Sequence, residues 1–285
     1  MASPSPPVAL VTGTSSGIGR STALLLARSG YRVFATVRTS EAEADLRRDA
    51  GGSPLDILRL DVGDEGSARL AARTTFERAG RIDVLVNNAG YAQVGAVADL
   101  TRDRVRRQFE VNVFAPVQLV REVLPVMRTQ GGGRIVNVSS LAGRVSVPMM
   151  GAYCASKFAL EAFSDALRIE AKPFGIHVSL IEPGPVVTEF QRNALAESRD
   201  ILESESVYGS VYRSYLEGGF DLGRGATSDR VARVILRALR ARRPRSRYRV
   251  RVRDSVATGF IQIVPRAGMD WVLSRWMELD LVRRA

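Results

Sequence analysis

The chain has 285 residues, 45% of them hydrophobic, and a formal net charge of +11. This length and apolar content are sufficient for one large α/β domain with a continuous core. The single cysteine, Cys154, excludes a disulfide within the chain and is typical of a reducing compartment. No apolar run of about 18 residues occurs, and residues 1–7 lack the basic and hydrophobic regions of a signal peptide. We therefore expect a soluble, cytoplasmic protein with a frayed tail at residues 1–7.

Short apolar strands alternate with helical segments over much of the chain. The apolar spacing predicts strands at Val8–Thr12, Tyr31–Val37, Asp56–Leu60, Asp83–Val86, Arg134–Ser139 and Val178–Ile181. It predicts helices at Ile18–Ser29, Ser40–Ala50, Glu65–Ala79, Arg102–Met127 and Tyr153–Lys172. Such alternation is typical of βαβ units with right-handed crossovers. The sequence therefore predicts the α/β class, with a Rossmann-like, doubly wound parallel β-sheet flanked by helices on both faces, in a single domain over residues 1–285.

The regular alternation weakens after Pro183. Residues 190–222 are polar and rich in Ser and Glu, with interspersed Tyr and Leu, and we predict that they form a helical lid. A helix is predicted at Asp229–Arg242 and a strand at Arg247–Arg253, because apolar residues alternate with arginine there. Residues 254–285 are predicted to form a C-terminal extension of the same domain.

The segment Thr12–Gly19 has the sequence TGTSSGIG and lies between the first predicted strand and the first helix. Glycine permits a tight turn and lets backbone N–H groups approach a pyrophosphate closely. The positive end of the helix dipole also favours an anion at this position. A strand before the turn and a helix after it therefore predict that the segment binds a dinucleotide.

Four motifs follow one another in an order that is typical of one enzyme family. The first turn has the spacing G-x-x-x-G-x-G, and Asn87–Gly90 follows the fourth strand. Tyr153-x-x-x-Lys157 opens a helix, and Pro183-Gly184 follows the sixth strand. Together they resemble the short-chain dehydrogenase/reductase family over about residues 8–190. The resemblance implies an oxidoreductase that interconverts a carbonyl and a secondary alcohol with a nicotinamide cofactor.

The resemblance implies four catalytic residues, which are Asn112, Ser140, Tyr153 and Lys157, with Tyr153 as general acid and base. Tyr153 and Lys157 are four residues apart on a helix, so they lie on one face and can share a site. A nearby ammonium favours a phenolate, so we expect Lys157 to lower the pKa of Tyr153. Adjacent strand residues point to opposite faces, and the spacing favours Ser140 over Ser139 as the partner of the substrate oxygen. Asn112 matches the asparagine that helps to hold a water near the lysine.

The end of the second predicted strand indicates which cofactor is bound. NAD-preferring members carry an acid there, whereas this chain has Val37 and Arg38. A guanidinium binds a 2′-phosphate bidentately, so we expect NADP(H). No metal site is predicted. The predicted cofactor-binding residues are Gly13, Ser15, Ser16, Gly17, Ile18, Gly19, Arg38, Asp61, Val62, Asn88, Ala89, Gly90, Tyr153, Lys157, Pro183, Gly184, Val186 and Thr188.

The residues around the Tyr153 helix resemble the branch of the family that contains 17β-hydroxysteroid and retinol dehydrogenases. Apolar residues near the site indicate a hydrophobic ketone or alcohol as substrate; they are Val145, Val147, Met149 and Met150. In this family the helices at Arg102–Met127 and Tyr153–Lys172 commonly pair between subunits. The resemblance therefore implies a homodimer or homotetramer.

Two other interpretations of the sequence stay open. In the first, the chain is a catalytically silent NADP(H)-binding sensor or scaffold. The complete Asn-Ser-Tyr-Lys set disfavours this interpretation. In the second, the eight arginines within Arg240–Arg253 bind nucleic acid or an anionic membrane. Their alternation with apolar residues favours instead an edge strand with a solvated basic face. We therefore predict no nucleic-acid partner and no integral membrane segment.

Overall fold

A computed structural model of the chain describes residues 5–216, 225–251, 265–277, 279 and 282. The strands are β1 (Val8–Val11), β2 (Arg32–Val37), β3 (Leu55–Arg59), β4 (Val84–Asn87), β5 (Gly133–Val138), β6 (Ile176–Glu182), β7 (Val186–Val187), β8 (Ala226–Thr227) and β9 (Arg247–Arg249). The helices are α1 (Gly17–Arg28), α2 (Ser40–Ala50), α3 (Glu65–Ala79), α4 (Arg102–Phe109), α5 (Ala115–Thr129), α6 (Gly151–Glu170), α7 (Phe190–Glu197), α8 (Arg199–Leu202), α9 (Gly209–Leu216), α10 (Ser228–Arg240) and α11 (Arg266–Trp276).

Seven of the described strands form one parallel sheet in the order β3-β2-β1-β4-β5-β6-β9. The strand order reverses between β1 and β4, which is the switch point of a doubly wound sheet. One face of the sheet packs against α1, α2 and α10, and the other face packs against α3 and α5. The predicted α/β class and the Rossmann-like single domain are confirmed.

The central strands are covered on both faces, which explains their continuous apolar sequences. Every residue of β1 and of β4 is buried. Parallel strands between two helical layers have this composition because neither face contacts water. Because these strands are parallel, the carboxyl ends of β1, β4, β5 and β6 lie along one edge of the sheet, where ligands bind in folds of this kind.

The helix predicted at Arg102–Met127 is interrupted. The helix α4 ends at Phe109, residues Glu110–Phe114 form a π-helical turn, and α5 then begins at Ala115. Such turns are rare and occur mostly at functional sites. Asn112 lies in this turn, so the predicted helical stretch changes from α to π geometry at one of the predicted catalytic positions.

The predicted lid consists of the three short helices α7, α8 and α9 within the described residues 190–216. They pack against the connection between β4 and α4. Tyr212 of α9 is fully buried, and its hydroxyl donates a hydrogen bond to Asp99 and accepts one of 2.9 Å from the Ala96 N–H. Strands β7 and β8, which the sequence analysis did not predict, pair on either side of this segment. Residues 217–222 of the predicted lid lie outside the described residues.

Strand β9 is the last of the described strands on one side of the sheet, as the sequence analysis predicted. The prediction that its arginines form a solvated basic face is wrong for Arg247 and Arg249. Arg247 forms ion pairs with the carboxylates of Glu161, Asp165 and Glu182, and Arg249 forms one with Glu182. Buried carboxylates need a cationic partner, and these two side chains supply it.

Helix α11 is the main described part of the predicted C-terminal extension. Met277, just beyond it, is buried in the apolar cluster that also contains Tyr153 and Tyr212. Residues 252–264 lie outside the described residues, and they include the end of the strand predicted at Arg247–Arg253. Within the part of the chain that the structure describes, no helix has the length and apolar character needed to cross a bilayer.

Candidate active site

A cavity of about 1040 Å³ lies where the parallel strands end. Its lining includes residues within two positions of the carboxyl end of each of β1 to β6, so segments far apart in sequence meet there. All predicted site residues line it except Gly19 and Asn112, which lie behind the surface. The predicted residues in the lining are Gly13, Ser15, Ser16, Gly17, Ile18, Arg38, Asp61, Val62, Asn88, Ala89, Gly90, Ser140, Tyr153, Lys157, Pro183, Gly184, Val186 and Thr188.

The glycine-rich turn is packed tightly against the segment that follows β4. Gly13 has a φ of +67° and Gly17 a φ of +55°, both in the left-handed region that favours glycine. A Cβ atom on Gly19 would lie 2.0 Å from the Gly13 carbonyl oxygen and 2.4 Å from Asn88 Nδ2. The Asn88 side chain also donates hydrogen bonds of 3.0 Å to the carbonyls of Thr12 and Gly13. Gly13 and Gly17 therefore supply backbone conformations that other residues rarely adopt, and Gly19 leaves room for backbone where a side chain would collide.

The predicted cofactor-selecting residue lies at the end of β2, the strand whose Thr36 carbonyl accepts a 2.9 Å hydrogen bond from Thr14 of the glycine-rich turn. Arg38 directly follows β2 and is exposed at the cavity surface. Asp61 and Val62, which follow β3, line the same cavity. The Asp61 carboxylate accepts a 3.0 Å hydrogen bond from the Gly63 N–H, which holds its loop in place.

Helix α6 presents Tyr153 and Lys157 to the cavity, and both side chains are less than 10% exposed. The Lys157 ammonium lies 5.8 Å from the centre of the Tyr153 ring and donates a 2.9 Å hydrogen bond to the Val138 carbonyl at the end of β5. Ser140 hydrogen-bonds the Tyr153 hydroxyl. Three of the four predicted catalytic side chains, Ser140, Tyr153 and Lys157, therefore lie next to one another.

Burial changes both pKa values, and one of the predictions is wrong as a result. Loss of hydration raises the pKa of Tyr153 to about 12, although the hydrogen bond from Ser140 opposes the shift. The sequence analysis expected Lys157 to lower this pKa, but the enclosure of the phenol outweighs any such effect in this structure. Burial also lowers the pKa of Lys157 to about 8, because the ammonium is removed from water, and Glu161 opposes that change.

Ser139 and Ser140 point in different directions, as side-chain alternation predicts. The Ser140 hydroxyl contacts Tyr153 and accepts a 3.1 Å hydrogen bond from the Ala142 N–H. Ser139 is buried beside the carboxylate of Glu161. Ser140, the residue selected from the spacing, is thus the serine next to the phenol.

Asn112 is buried, and its side chain connects two segments of the site. Its expected role, to help hold a water near Lys157, stays a prediction. Its side-chain oxygen accepts a 3.1 Å hydrogen bond from the Tyr91 N–H, and its amide donates 3.0 Å bonds to the Tyr91 carbonyl and the Ser156 hydroxyl. The π-helical turn therefore uses Asn112 to connect the loop after β4 with α6. The hydrogen bonds of its side chain go to these two residues and not to Lys157.

Sequence reasoning missed one aromatic residue at the site. Phe190 begins α7, and its ring centre lies 5.7 Å from that of Tyr153. The ring thereby covers the phenol from the lid side of the cavity. The segment around Phe190 has no motif that distinguishes it from other lid residues, so no sequence signal identifies this contact.

Comparison with known proteins agrees with this geometry. Residues 7–199 match the family described as short chain dehydrogenase. The chain is 37% identical to human 17-beta-hydroxysteroid dehydrogenase type 1 over 252 residues, which cover 85% of this chain and 76% of that protein. It is also 37% identical to Bos taurus retinol dehydrogenase 8 over 259 residues, which cover 87% and 82% of the two chains.

Two solved structures resemble the whole domain. A short chain dehydrogenase/reductase from Burkholderia phymatum in complex with NAD is 26% identical, with a TM-score of 0.78 over 89% of this chain and 92% of that one. An actinorhodin polyketide ketoreductase with NADPH is 30% identical, with a TM-score of 0.74 over 88% and 97%.

The chain belongs to the short-chain dehydrogenase/reductase family and is an oxidoreductase of the kind that uses a nicotinamide cofactor. Within that family it groups with the branch of 17β-hydroxysteroid and retinol dehydrogenases. The glycine-rich turn fits such a cofactor, because Gly13, Gly17 and Gly19 form a side-chain-free cradle at the start of α1. The positive end of that helix favours the pyrophosphate.

Gly19→Ala tests this cradle. A methyl group at this position must displace the Gly13 carbonyl and the Asn88 amide, so we expect NADPH binding to weaken at least about tenfold, a loss of ~1.4 kcal/mol. Cofactor binding is measured by fluorescence titration. The control is Gly63→Ala, because the nearest atom to its added methyl group is 3.4 Å away. Equal NADPH affinity in the wild type and Gly19→Ala would contradict the assignment of the cradle.

Proposed function

We propose that the chain interconverts a ketone and a secondary alcohol on a hydrophobic small molecule with NADP(H), and that Tyr153 donates and accepts the proton. The observation that carries the proposal is a buried phenol, hydrogen-bonded by Ser140 and adjacent to Lys157, in the same cavity as the glycine-rich turn. When bound, the nicotinamide supplies or accepts the hydride. Everything else in the reaction is assigned to side chains of this protein.

In reduction, Tyr153 delivers the proton to the substrate oxygen. Its pKa of about 12 keeps the proton on the phenol at neutral pH, which suits a general acid. Ser140 is the proposed donor to the alkoxide that develops on the substrate. Lys157, charged and 5.8 Å from the ring centre, stabilises the phenolate that remains. Phe190 covers the phenol and restricts the access of water. In oxidation the same groups act in reverse order.

The residues that would hold NADP(H) divide into three groups along the cavity. Those assigned to the pyrophosphate are Gly13, Ser15, Ser16, Gly17, Ile18 and Gly19. Those assigned to the adenosine part are Arg38, Asp61, Val62, Asn88 and Ala89. Those assigned to the nicotinamide half are Gly90, Tyr153, Lys157, Pro183, Gly184, Val186 and Thr188.

The substrate is proposed to be apolar because of the side chains around Tyr153. Val145, Val147 and Met150 line the cavity together with Phe190. Met149, which the sequence analysis placed with them, is buried in the apolar cluster behind this wall. These side chains can bind a bulky ketone or alcohol through apolar contact, while polar residues of the same cavity, Gln191 and Asn193 among them, can orient it. The lid helices α7 to α9 are proposed to cover the bound substrate.

Tyr153→Phe tests the proposed acid and base. The change removes only the hydroxyl, so we expect turnover to fall at least about 10²-fold, which is the low end for a lost general acid. Turnover is followed as NADPH oxidation with a panel of hydrophobic ketones, and NADPH affinity is expected to stay near that of the wild type. Tyr208→Phe is the matched control, because the Tyr208 ring contacts that of Tyr212 in the lid, with ring centres 6.4 Å apart. Near-normal turnover in Tyr153→Phe would contradict the proposal.

The preference for NADP(H) rests on Arg38 and on the lack of an acid at Val37. Arg38 is exposed at the cavity surface, where a guanidinium can pair with a 2′-phosphate. Structural relatives include an NAD complex and an NADPH complex, so the residues of this chain must decide between them.

The double variant Val37→Asp with Arg38→Ala tests this preference. An aspartate accepts hydrogen bonds from the ribose hydroxyls and repels a phosphate, so we expect the ratio of kcat/KM for NADPH over NADH to fall roughly ten- to a hundredfold. Arg47→Ala on the outer face of α2 is the control, since this arginine pairs with Glu43 on the surface. An unchanged cofactor ratio in the double variant would count against the assignment.

The rival interpretations have less support. A silent sensor would bind NADPH without consuming it in the same ketone panel. A basic patch for nucleic acid or anionic membrane loses two of its arginines, because Arg247 and Arg249 pair with buried carboxylates of the same chain. The cytoplasmic location stays a prediction from the sequence.

A homodimer is proposed from the outer surfaces of the π-helical turn, α5 and α6. These helices correspond to the two segments that the sequence analysis assigned to subunit contact. Large apolar side chains are exposed there, which marks a protein-binding surface when they are contiguous. The exposed residues are Phe114, Val117, Phe158, Phe163 and Ile169.

Phe163→Glu tests this surface. A carboxylate in the centre of an apolar contact cannot be hydrated, so we expect the oligomer to dissociate to monomers in light scattering after size exclusion. Phe76→Glu on α3 is a matched control, because Phe76 is 43% exposed and Phe163 is 49% exposed. An unchanged mass for Phe163→Glu, or monomers for the control, would contradict this interface.

A further inference from the structure

A cluster of three carboxylates and one arginine lies behind the proposed active site. Glu161 and Asp165 are on α6, Glu182 ends β6, and Arg247 is on β9. The Arg247 guanidinium lies 2.9 Å from Glu161, 2.6 Å from Asp165 and 3.1 Å from Glu182. The side chains of Glu161 and Glu182 are 7% and 0% exposed, whereas that of Asp165 is 39% exposed. The two buried members therefore depend on arginines of the edge strand for neutralisation.

Glu161 is the member of this cluster that is nearest to the catalytic side chains along α6. It follows Lys157 by four residues, so the two side chains lie on one face of the helix, one turn apart. A Cβ atom on Gly143 would lie 3.1 Å from Glu161 Cγ, 2.9 Å from the Ser139 hydroxyl and 3.2 Å from the Lys157 carbonyl. The Glu161 side chain therefore packs against the turn that follows Ser139, beside the backbone of α6.

The pairing of Glu161 is incomplete. Its Oε2 atom meets Arg247, but Oε1 is buried and makes no hydrogen bond of good geometry with the described residues. The Ser139 hydroxyl lies beside it and favours the charged carboxylate. Burial raises the pKa of Glu161, and the second buried carboxylate, Glu182, adds to that shift, whereas Arg247 opposes it and favours the charged form. An arrangement built only for stability would use apolar side chains here, because buried ion pairs contribute little to it. One turn earlier on the same face of α6, this carboxylate has a cationic neighbour.

That neighbour is Lys157. The ammonium is buried, and burial favours its neutral form. The groups that oppose or modify this effect are few. Glu161 lies one turn away on the same helix and favours the charged form, while the Val138 carbonyl accepts a hydrogen bond from the ammonium. The Tyr153 ring, one turn before Lys157, is neutral at working pH because its pKa is about 12.

We propose that Glu161 is a positioning residue of the active site, which Arg247 holds in place from the edge strand so that its carboxylate keeps Lys157 charged beside Tyr153. This inference rests on the proposed function, because it gives Lys157 a role in that reaction. It adds Glu161 to the site, outside the Asn-Ser-Tyr-Lys set. It also gives a role to Arg247, one of the arginines within Arg240–Arg253.

The chain itself makes the test direct, because Lys157 and Lys172 are its two lysines. Protein labelled with ¹³C at lysine Cε therefore gives two resonances, and Lys172→Arg assigns them. Glu161→Gln removes the negative charge with little change in shape, and it also removes the repulsion with Glu182, so it is expected to fold. We expect the titration midpoint of Lys157 to fall by about one pH unit, since an opposing charge one helical turn away in a buried site is lost.

The control is Asp165→Asn. Asp165 shares Arg247 with Glu161 but lies two turns from Lys157 and is partly exposed, so the Lys157 midpoint is expected to stay within about 0.3 pH units of the wild type. Glu161→Asp keeps the charge and is expected to remain closer to the wild type than to Glu161→Gln. Melting temperatures of all variants show whether they are folded.

The same variants are compared in ketone reduction across pH. Losing the ammonium at lower pH should move the alkaline decline of kcat in Glu161→Gln downward by the same amount as the lysine titration. KM for NADPH should change little. A purely structural role for Glu161 would lower kcat or the melting temperature without moving this decline.

Superimposable Lys157 titrations in the wild type and Glu161→Gln would overturn the proposal. A shift of equal size in Asp165→Asn would overturn it as well. The failure of the proposed function is a different result, because it would appear as near-normal turnover in Tyr153→Phe, whereas the lysine titration is measured without substrate.

Discussion

The Lys157 ammonium donates a 2.9 Å hydrogen bond to the carbonyl of Val138, the last residue of β5, and so attaches helix α6 to the carboxyl edge of the sheet. Tyr153 is one helical turn earlier on α6 and Ser140 is two residues beyond Val138. Fixing the helix at this point therefore brings the phenol and the serine hydroxyl together. The cofactor cradle lies along the same edge because β1 and β5 are parallel members of one sheet.

Burial shifts the pKa values of Tyr153 and Lys157, and the two shifts have opposite consequences for the proposed reaction. It raises the pKa of Tyr153, which keeps a proton available for the substrate, but it lowers the pKa of Lys157 to about 8. A lysine that lost its proton would no longer stabilise a phenolate. The carboxylate of Glu161 opposes that loss, and Arg247 neutralises the carboxylate cluster from the outer strand. Arg247, on the outer strand of the sheet, thereby affects the charge of Lys157 through Glu161.

Much of the fold followed from the sequence because its signals are local. Buried parallel strands have continuous apolar sequences, and the glycine-rich turn requires backbone conformations that other residues rarely adopt. The π-helical turn at Asn112 and the ring of Phe190 over Tyr153 depend on packing between distant segments, so no local pattern predicted them. The inward pairing of Arg247 was missed for the same reason, since its partners are on α6 and β6. The raised pKa of Tyr153 results from the burial of its side chain. The four-residue spacing between Tyr153 and Lys157 carries no information about burial.

The central claim is that this site moves a hydride between a nicotinamide and a carbon atom of a hydrophobic substrate. The most direct measurement uses NADPH with deuterium at the transferring position of nicotinamide C4, a panel of hydrophobic ketones, and mass spectrometry of the products. The account predicts an alcohol that is one mass unit heavier, with the deuterium on the carbinol carbon. Binding of NADPH by the folded protein with no deuterium in any product would contradict the account.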